Sequence, residues 1–169
     1  MSIHVGVDCG RYGGISLIND QLTLLENYRL PWTATKGFNV RDIVNHLKDW
    51  DECYNITHVL IEECYATPMM SRKSSFSFGF NVGLLHGVLE SILLNCRFDL
   101  ILPVNWMRKM HQRGDLDDSF DIYDKKTKGR SLQACRMLYP DYVFSEKDND
   151  DGLLDSLLIA HYSLNYHWK

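Results

Sequence analysis

Residues 3–19 read Ile3-His-Val-Gly-Val-Asp8-Cys-Gly10-Arg-Tyr-Gly13-Gly14-Ile-Ser-Leu-Ile-Asn19. An apolar run ends on a carboxylate, passes through glycines and resumes as a second apolar run. Both runs suit buried strands, and the glycines between them let the backbone approach a phosphate or a metal ion closely. Asp8 is therefore the first candidate for chemistry. A third strand over 22–29 follows a tight turn at Asn19-Asp20, so the chain opens as antiparallel neighbours.

Further along, Val40, Ile43, Val44 and Leu47 have helical spacing, and Thr57-His-Val-Leu-Ile-Glu62 returns to a strand. A strand–helix–strand unit needs a crossover, hence a parallel pairing. A long helix is expected from about residue 76 to about 96, with Gly79, Gly83 and Gly87 four apart on one face, where something must pack closely: the sheet on the plainer reading, or a second copy in a dimer formed along the exposed side of the helix. A short strand over 98–102 stops at Pro103, and a short helix over 104–110 follows. Residues 111–127 are polar and aperiodic. Helices are then expected over 128–139, stopping before Pro140, and from 149 to about 161, with Leu154, Leu157, Leu158 and His161 as the buried stripe. This order predicts an α/β fold: a mixed five-stranded sheet with helices on both faces, in a single domain over 1–169.

The chain has 169 residues, 45% of them hydrophobic and 24% charged, enough for one well-buried core and too little for two. A net charge of −4 argues against a protein that coats nucleic acid nonspecifically. The charge is uneven, however: residues 125–136 carry five bases and no acid, and residues 141–155 carry six acids against Lys147. Cys9, Cys53, Cys64, Cys96 and Cys135 are odd in number and include no Cys-x-x-Cys pair, so neither a disulfide framework nor a zinc site is expected, and a reducing cytosol fits best. The apolar region 84–102 is broken by His86, Glu90, Arg97 and Asp99, and no basic-then-apolar leader opens the chain. No membrane association is expected, and localisation should be cytoplasmic.

The acids form a pattern. Gly6 and Asp8 share one face of the first strand and Leu60 and Glu62 one face of the fourth, so each strand delivers a carboxylate at its C-terminal end, the edge at which open α/β sheets place ligands. Asp151 and Asp155, four apart, are neighbours on the last helix. Singly, each has a plainer role: Asp8 in a turn, Glu62 and Glu63 as solvated strand-end residues, Asp148, Asp150 and Asp151 as acids at a helix N-terminus. Together they would repel unless a cation cancels the charge. Oxygen ligands without Cys or His point to Mg²⁺, with Mn²⁺ able to substitute. Two such ions about 3.5–4 Å apart would serve phosphodiester hydrolysis.

Here a resemblance becomes specific. Gly6-Val-Asp8-Cys-Gly10 with its following glycines, Val59-Leu-Ile-Glu62, Gly83-Leu-Leu-His-Gly87 and Asp151-Gly-Leu-Leu-Asp155-Ser-Leu-Leu-Ile-Ala160 resemble the RuvC-like Holliday-junction resolvases, particularly their short phage-type branch. Trp106-Met-Arg-Lys109 and the segment from Lys128 to Pro140 are similar to that branch too. The resemblance covers most of the chain in order. It implies an RNase H-like fold, a homodimer and Mg²⁺-dependent symmetric nicking of four-way DNA junctions in recombination and repair, within a host cytoplasm if the chain is phage-encoded. It makes Asp8, Glu62, Asp151 and Asp155 the metal-binding and catalytic acids. Tyr65 falls where some members place an aromatic wedge, a partly buried loop tyrosine being the plainer reading. In cellular RuvC proteins the two helix acids are usually three apart, and here they are four, so Asp150 remains a reserve ligand.

For DNA binding, Lys125, Lys126, Lys128 and Arg130 form a candidate phosphate track, extended by Arg108, Lys109, Arg113 and Arg136. A solvated helix face is the plainer reading. Arg72 and Lys73, with Ser74 and Ser75, read as a second basic loop just after Glu62. His86 and His161 read as half-buried or satisfied histidines, and His111 as a phosphate contact. Three alternatives remain: an RNase H-like nuclease acting on other branched DNA or hybrids, an actin-like or sugar-kinase-type phosphotransferase, and a noncatalytic junction-binding protein.

Overall fold

In the computed structural model, which describes residues 1–33, 37–66, 68–111, 128–144 and 151–168, alternate residues of the first strand face two different helix layers. The strands are β1 (Ile3–Val7), β2 (Gly14–Asn19), β3 (Leu24–Arg29), β4 (Trp32–Thr33), β5 (Gly37–Phe38), β6 (Ile56–Glu62) and β7 (Arg97–Ile101). The helices are α1 (Val40–Cys53), α2 (Arg72–Ile92), α3 (Pro103–Met110), α4 (Lys128–Leu138) and α5 (Asp151–Ser163). The main sheet has the order β3-β2-β1-β6-β7. Its first two pairings are antiparallel, and β1–β6 and β6–β7 are parallel, so the expected mixed five-stranded sheet is present.

Ile3, Val5 and Val7 join Ile15, Leu17, Val59 and Ile61 beneath α1 and α2, which contribute Ile43, Leu47, Trp50, Leu85 and Leu89. On the opposite face Ile18, Leu60 and Ile101 meet Trp106, Met110, Ala134, Leu154, Leu157 and Leu158 of α3, α4 and α5. Period-two alternation thus hands one face of each strand to each helix layer.

Small residues let α5 sink onto the sheet. A Cβ on Gly6 would overlap the Ser156 carbonyl oxygen and the Ala160 backbone nitrogen, and one on Gly152 would overlap the Tyr12 carbonyl. Gly13 and Gly152 form an isolated parallel bridge. Ser16 Oγ and Ser156 Oγ hydrogen-bond at 2.7 Å, and Ser163 Oγ lies 2.8 Å from His4 Nδ1. These contacts set the helix's height and register over β1 and β2.

One element is new and two expectations are corrected. Trp32 and Phe38 pair in the small β4–β5 hairpin, which has no counterpart in the sequence reading. Arg72, Lys73, Ser74 and Ser75, expected as a loop, form the first turn of α2, whose N-cap Ser71 accepts from the Ser74 N–H at 3.1 Å. The glycine stripe does not pack against the sheet: a Cβ at Gly79, Gly83 or Gly87 would meet nothing within 4 Å of this chain. The helix instead buries Asn81, Leu85 and Leu89, and Asn81 accepts from the Phe38 N–H. Among the described residues no helix is long and apolar enough to cross a membrane.

Gly6→Ala should destabilise the fold by about 3 kcal/mol or more, because the methyl group meets helix backbone that cannot rotate aside. Gly79→Ala should be neutral or gain about 0.5–1 kcal/mol. Denaturant midpoints measure both; equal midpoints would remove Gly6 as the residue that sets α5.

Candidate active site

Asp8 follows the last residue of β1 and Glu62 ends β6, with Val7 opposite Ile61 in the parallel register. Both carboxylates therefore leave the sheet at one edge, on the face that α5 covers. Asp151 opens α5 and Asp155 lies one turn on. The four act on one another electrostatically: Asp8 on Glu62, Asp8, Glu62 and Asp151 on Asp155, and Asp151 on Asp8. All four acids singled out in the sequence thus lie at this edge within electrostatic reach of one another.

Three of the carboxylates are held by neutral donors. Asp8 Oδ1 accepts from the Gly10 N–H at 2.7 Å. Glu62 Oε1 accepts from Trp106 Nε1 at 2.9 Å, and the Cys64 thiol donates weakly to Oε2 at 3.9 Å. Asp155 Oδ1 accepts from Ser131 Oγ at 2.5 Å. Behind these donors His111 Nε2 lies 3.2 Å from Ser131 Oγ, and its ring meets Trp106 edge-on at 5.7 Å. Trp106, Ser131 and His111 are the site residues that sequence reasoning missed in these roles. They sit on α3, on α4 and at the C-cap of α3, and no spacing rule links residues that meet only across helices.

Burial pushes Asp8 up to about 6, with Asp151 adding to the rise and the Gly10 N–H opposing it. Burial and the neighbouring Asp8 raise Glu62 to about 7 against the bonds from Trp106 and Cys64. Asp155 is raised well above its ordinary value by burial, then by Asp8, against its bond from Ser131. Among the described residues no lysine or arginine lowers any of these three groups.

An all-oxygen set of mutually repelling carboxylates fits a hard divalent cation on its donor chemistry. The side chains do not form a closed cage: among the described residues no three His, Cys, Asp or Glu stand close enough to enclose an ion. Trp106, Ser131 and the Gly10 N–H each donate to one oxygen of a carboxyl, which leaves further lone pairs on each group for a cation.

Around this edge, Tyr65 is 60% exposed and lines a cleft of about 380 Å³ with Glu63, Pro68, Phe78 and Pro103. Arg72 and Lys73 are exposed on the first turn of α2. Lys73 shares a second cleft, of about 490 Å³, with Arg11 and Trp32, and the Arg11 guanidinium stands 5.2 Å from the Tyr12 ring centre. Arg11 was not singled out in the sequence, although it follows Gly10 directly. Arg130 is half-buried on α4 beside Ser131. Lys109 is held 5.4 Å over the Tyr162 ring, roughly 10 Å along α5 from Asp155 at 1.5 Å per residue. Lys125, Lys126, Arg113 and Asp150 lie outside the described residues, and Lys128 is described only as the first residue of α4. His111 is 2% exposed, which corrects its reading as a phosphate contact. His86 is half-buried against Cys9, with 3.8 Å between Nε2 and Sγ, and His161 is buried with Nδ1 3.1 Å from the Tyr139 hydroxyl, as expected.

Strand order, helix layers and the acidic edge define an RNase H-like fold of the RuvC type. Thermus thermophilus RuvC in complex with a Holliday junction substrate matches 94% of this chain and 90% of its own at a TM-score of 0.64 and 11% identity. A second Thermus thermophilus RuvC structure matches 95% of each chain at 0.60 and 12% identity. The likeness is one of fold. No family model matches the sequence, and no curated protein sequence does.

The raised carboxyl groups fix a sign for pH dependence. Their folded values exceed the unfolded range near 4, so between pH 4 and 7 the native state binds more protons than the unfolded chain, and stability falls as pH rises through that window. In chelator, unfolding free energy should drop by about 2 kcal/mol or more from pH 5 to pH 8, at about 1.4 kcal/mol per pKa unit. Asp8→Asn should flatten the drop and be the more stable protein at pH 8. A flat wild-type profile would show that the carboxylates do not crowd one another.

Proposed function

We propose that this chain is a metal-dependent endodeoxyribonuclease that resolves four-way DNA junctions by phosphodiester hydrolysis. One observation carries the reading: carboxylates from two adjacent parallel strand ends and from the helix across them share one sheet edge, where they raise one another's proton affinity. The fold likeness to a RuvC solved with a Holliday junction substrate supports the choice of DNA. Asp8, Glu62, Asp151 and Asp155 would hold two Mg²⁺ or Mn²⁺ ions, which when bound supply charge neutralisation at the phosphate and activation of water. The chain's own task is presentation: Trp106, Ser131 and the Gly10 N–H each approach one carboxyl from a defined direction.

Arg72 and Lys73 on α2, Lys128 and Arg130 on α4, and Lys125 and Lys126 before that helix would meet phosphates of the converging arms. Tyr65 would offer its ring to a base unstacked at the crossover. Paired nicks need two sites. A second copy would dock on the exposed stripe of α2, where Phe76 and Phe80 stand 77% and 60% exposed beside the open glycines. In sedimentation, Gly83→Arg should then leave a folded monomer that loses paired cutting.

The test is cleavage of four-way junction, flap, linear duplex and RNA–DNA hybrid with and without Mg²⁺. Paired symmetric nicks on the junction alone are expected. Asp8→Asn should lose on the order of a thousandfold or more in cutting while binding the junction with little change. Replacing both Lys128 and Arg130 with alanine should weaken binding and flatten its salt dependence by about 0.9 in log–log slope for each phosphate that is no longer neutralised. Metal-independent cutting, or full activity of Asp8→Asn, would end the reading.

A further inference from the structure

The β4–β5 hairpin is tied down at both ends. The Leu30 N–H donates to the Gly13 carbonyl at 3.0 Å, which joins the segment entering β4 to the turn that follows Asp8. The Phe38 N–H donates to Asn81 Oδ1 at 3.3 Å, which joins β5 to α2. Between these anchors half-buried Trp32 packs edge-on against Phe38, with 5.1 Å between ring centres. Trp32 thereby forms one wall of the cleft of about 490 Å³ that Arg11 and Lys73 share, a volume in the range of sites that enclose small molecules.

Two features of this cleft call for an occupant. The Trp32 indole N–H is buried with no acceptor among the described residues, and an N–H withdrawn from water without an acceptor is costly. Arg11 is exposed, and its guanidinium stands 5.2 Å from the Tyr12 ring centre and 5.7 Å from that of Trp32. Rings hold it in place without cancelling its charge, and among the described residues no acid lines the cleft. Lys73, Ser74 and Ser77 stand on the first two turns of α2, whose N-terminal end adds to the attraction for an anion. The lining thus offers cations and hydroxyls for a phosphate, and a ring face with one unused donor for a base. Phe78 walls both this cleft and the one that Tyr65 lines, so a base displaced beside Tyr65 has a receptacle next to it.

We propose that the Arg11–Trp32–Lys73 cleft holds one unstacked nucleotide of the strand being cut, an inference that rests on the nuclease reading above. Arg11 and Lys73 take its phosphate. The base enters against Trp32 and Phe78, and the indole N–H donates to an acceptor on it as Arg11 turns from the ring to the phosphate. Arg11 is three residues after Asp8, a span of at most about 11 Å between their Cα atoms, so the nucleotide is close to the scissile phosphate. The bases carry their acceptors at different points on their edges, and one fixed donor therefore makes the cleft selective among them.

The experiment measures binding by the full chain carrying Asp8→Asn to four-way junctions in which each nucleotide near the cut in turn lacks its base. Expected is a position at which losing the base weakens binding about tenfold, the size of one base–aromatic contact. Adding Trp32→Ala should weaken binding of the intact junction by about as much and abolish that dependence. Trp32→Phe keeps a ring against Phe38 and loses the donor: it should retain the dependence yet bind the four bases at that position alike, whereas the chain with Trp32 favours some over others. Each protein is compared across its own set of junctions, which removes the effect of a missing base on the DNA itself. No base-dependent position, equal binding of the four bases with Trp32 in place, or an unchanged preference in Trp32→Phe would overturn the proposal, and that last comparison decides if Trp32→Ala fails to fold. Base dependence that follows Trp32 in a protein whose Asp8 form cuts no branched DNA would sustain the cleft and overturn the nuclease reading instead.

Discussion

The seating of α5 on β1 is the interaction on which the rest of the molecule depends. At Gly6 the helix backbone replaces a side chain, with Ser156 and Ala160 lying where a Cβ would project. Ser16 with Ser156 and Gly13 with Gly152 repeat the close approach along β2 and the turn before it. A helix held by backbone contact has little freedom to slide, and its first two turns carry Asp151 and Asp155. A structural requirement for small residues thereby fixes where two of the four carboxylates stand relative to Asp8.

Such an arrangement stores unfavourable charge. Buried carboxylates that repel one another oppose folding unless protonated or neutralised, and at Asp8, Glu62 and Asp155 the protein answers with neutral donors. An indole, a hydroxyl and a backbone N–H orient the groups without cancelling their charge, so these acids keep their attraction for a cation. A structural salt bridge would have removed it. His111, whose own proton affinity is lowered by burial and by Arg130, supports Ser131 as a neutral ring.

What was legible in the sequence follows from periodicity. Alternation along the first and fourth strands put Asp8 and Glu62 on one face, and the four-residue spacing of Asp151 and Asp155 put them side by side on the last helix; both readings hold in three dimensions. The start of α2 was hidden because Arg72, Lys73, Ser74 and Ser75 show no apolar period, and only the Ser71 cap marks the turn. The glycines of α2 illustrate the reverse failure: their spacing is real, but periodicity reports a face and not what covers it. Trp106 and Ser131 were illegible for one reason. Each joins side chains from separate elements, and that information resides in packing.

The bond from Trp106 to Glu62 also makes the site visible to light. Trp106 is one of four tryptophans, is 1% exposed, and donates its indole N–H to a carboxyl whose charge changes when that group gains a proton or a cation. Indole emission responds to the charge and polarity around the ring, so this residue is an intrinsic fluorophore wired to the ionisation of Glu62, reporting occupancy of the acidic edge without any added label.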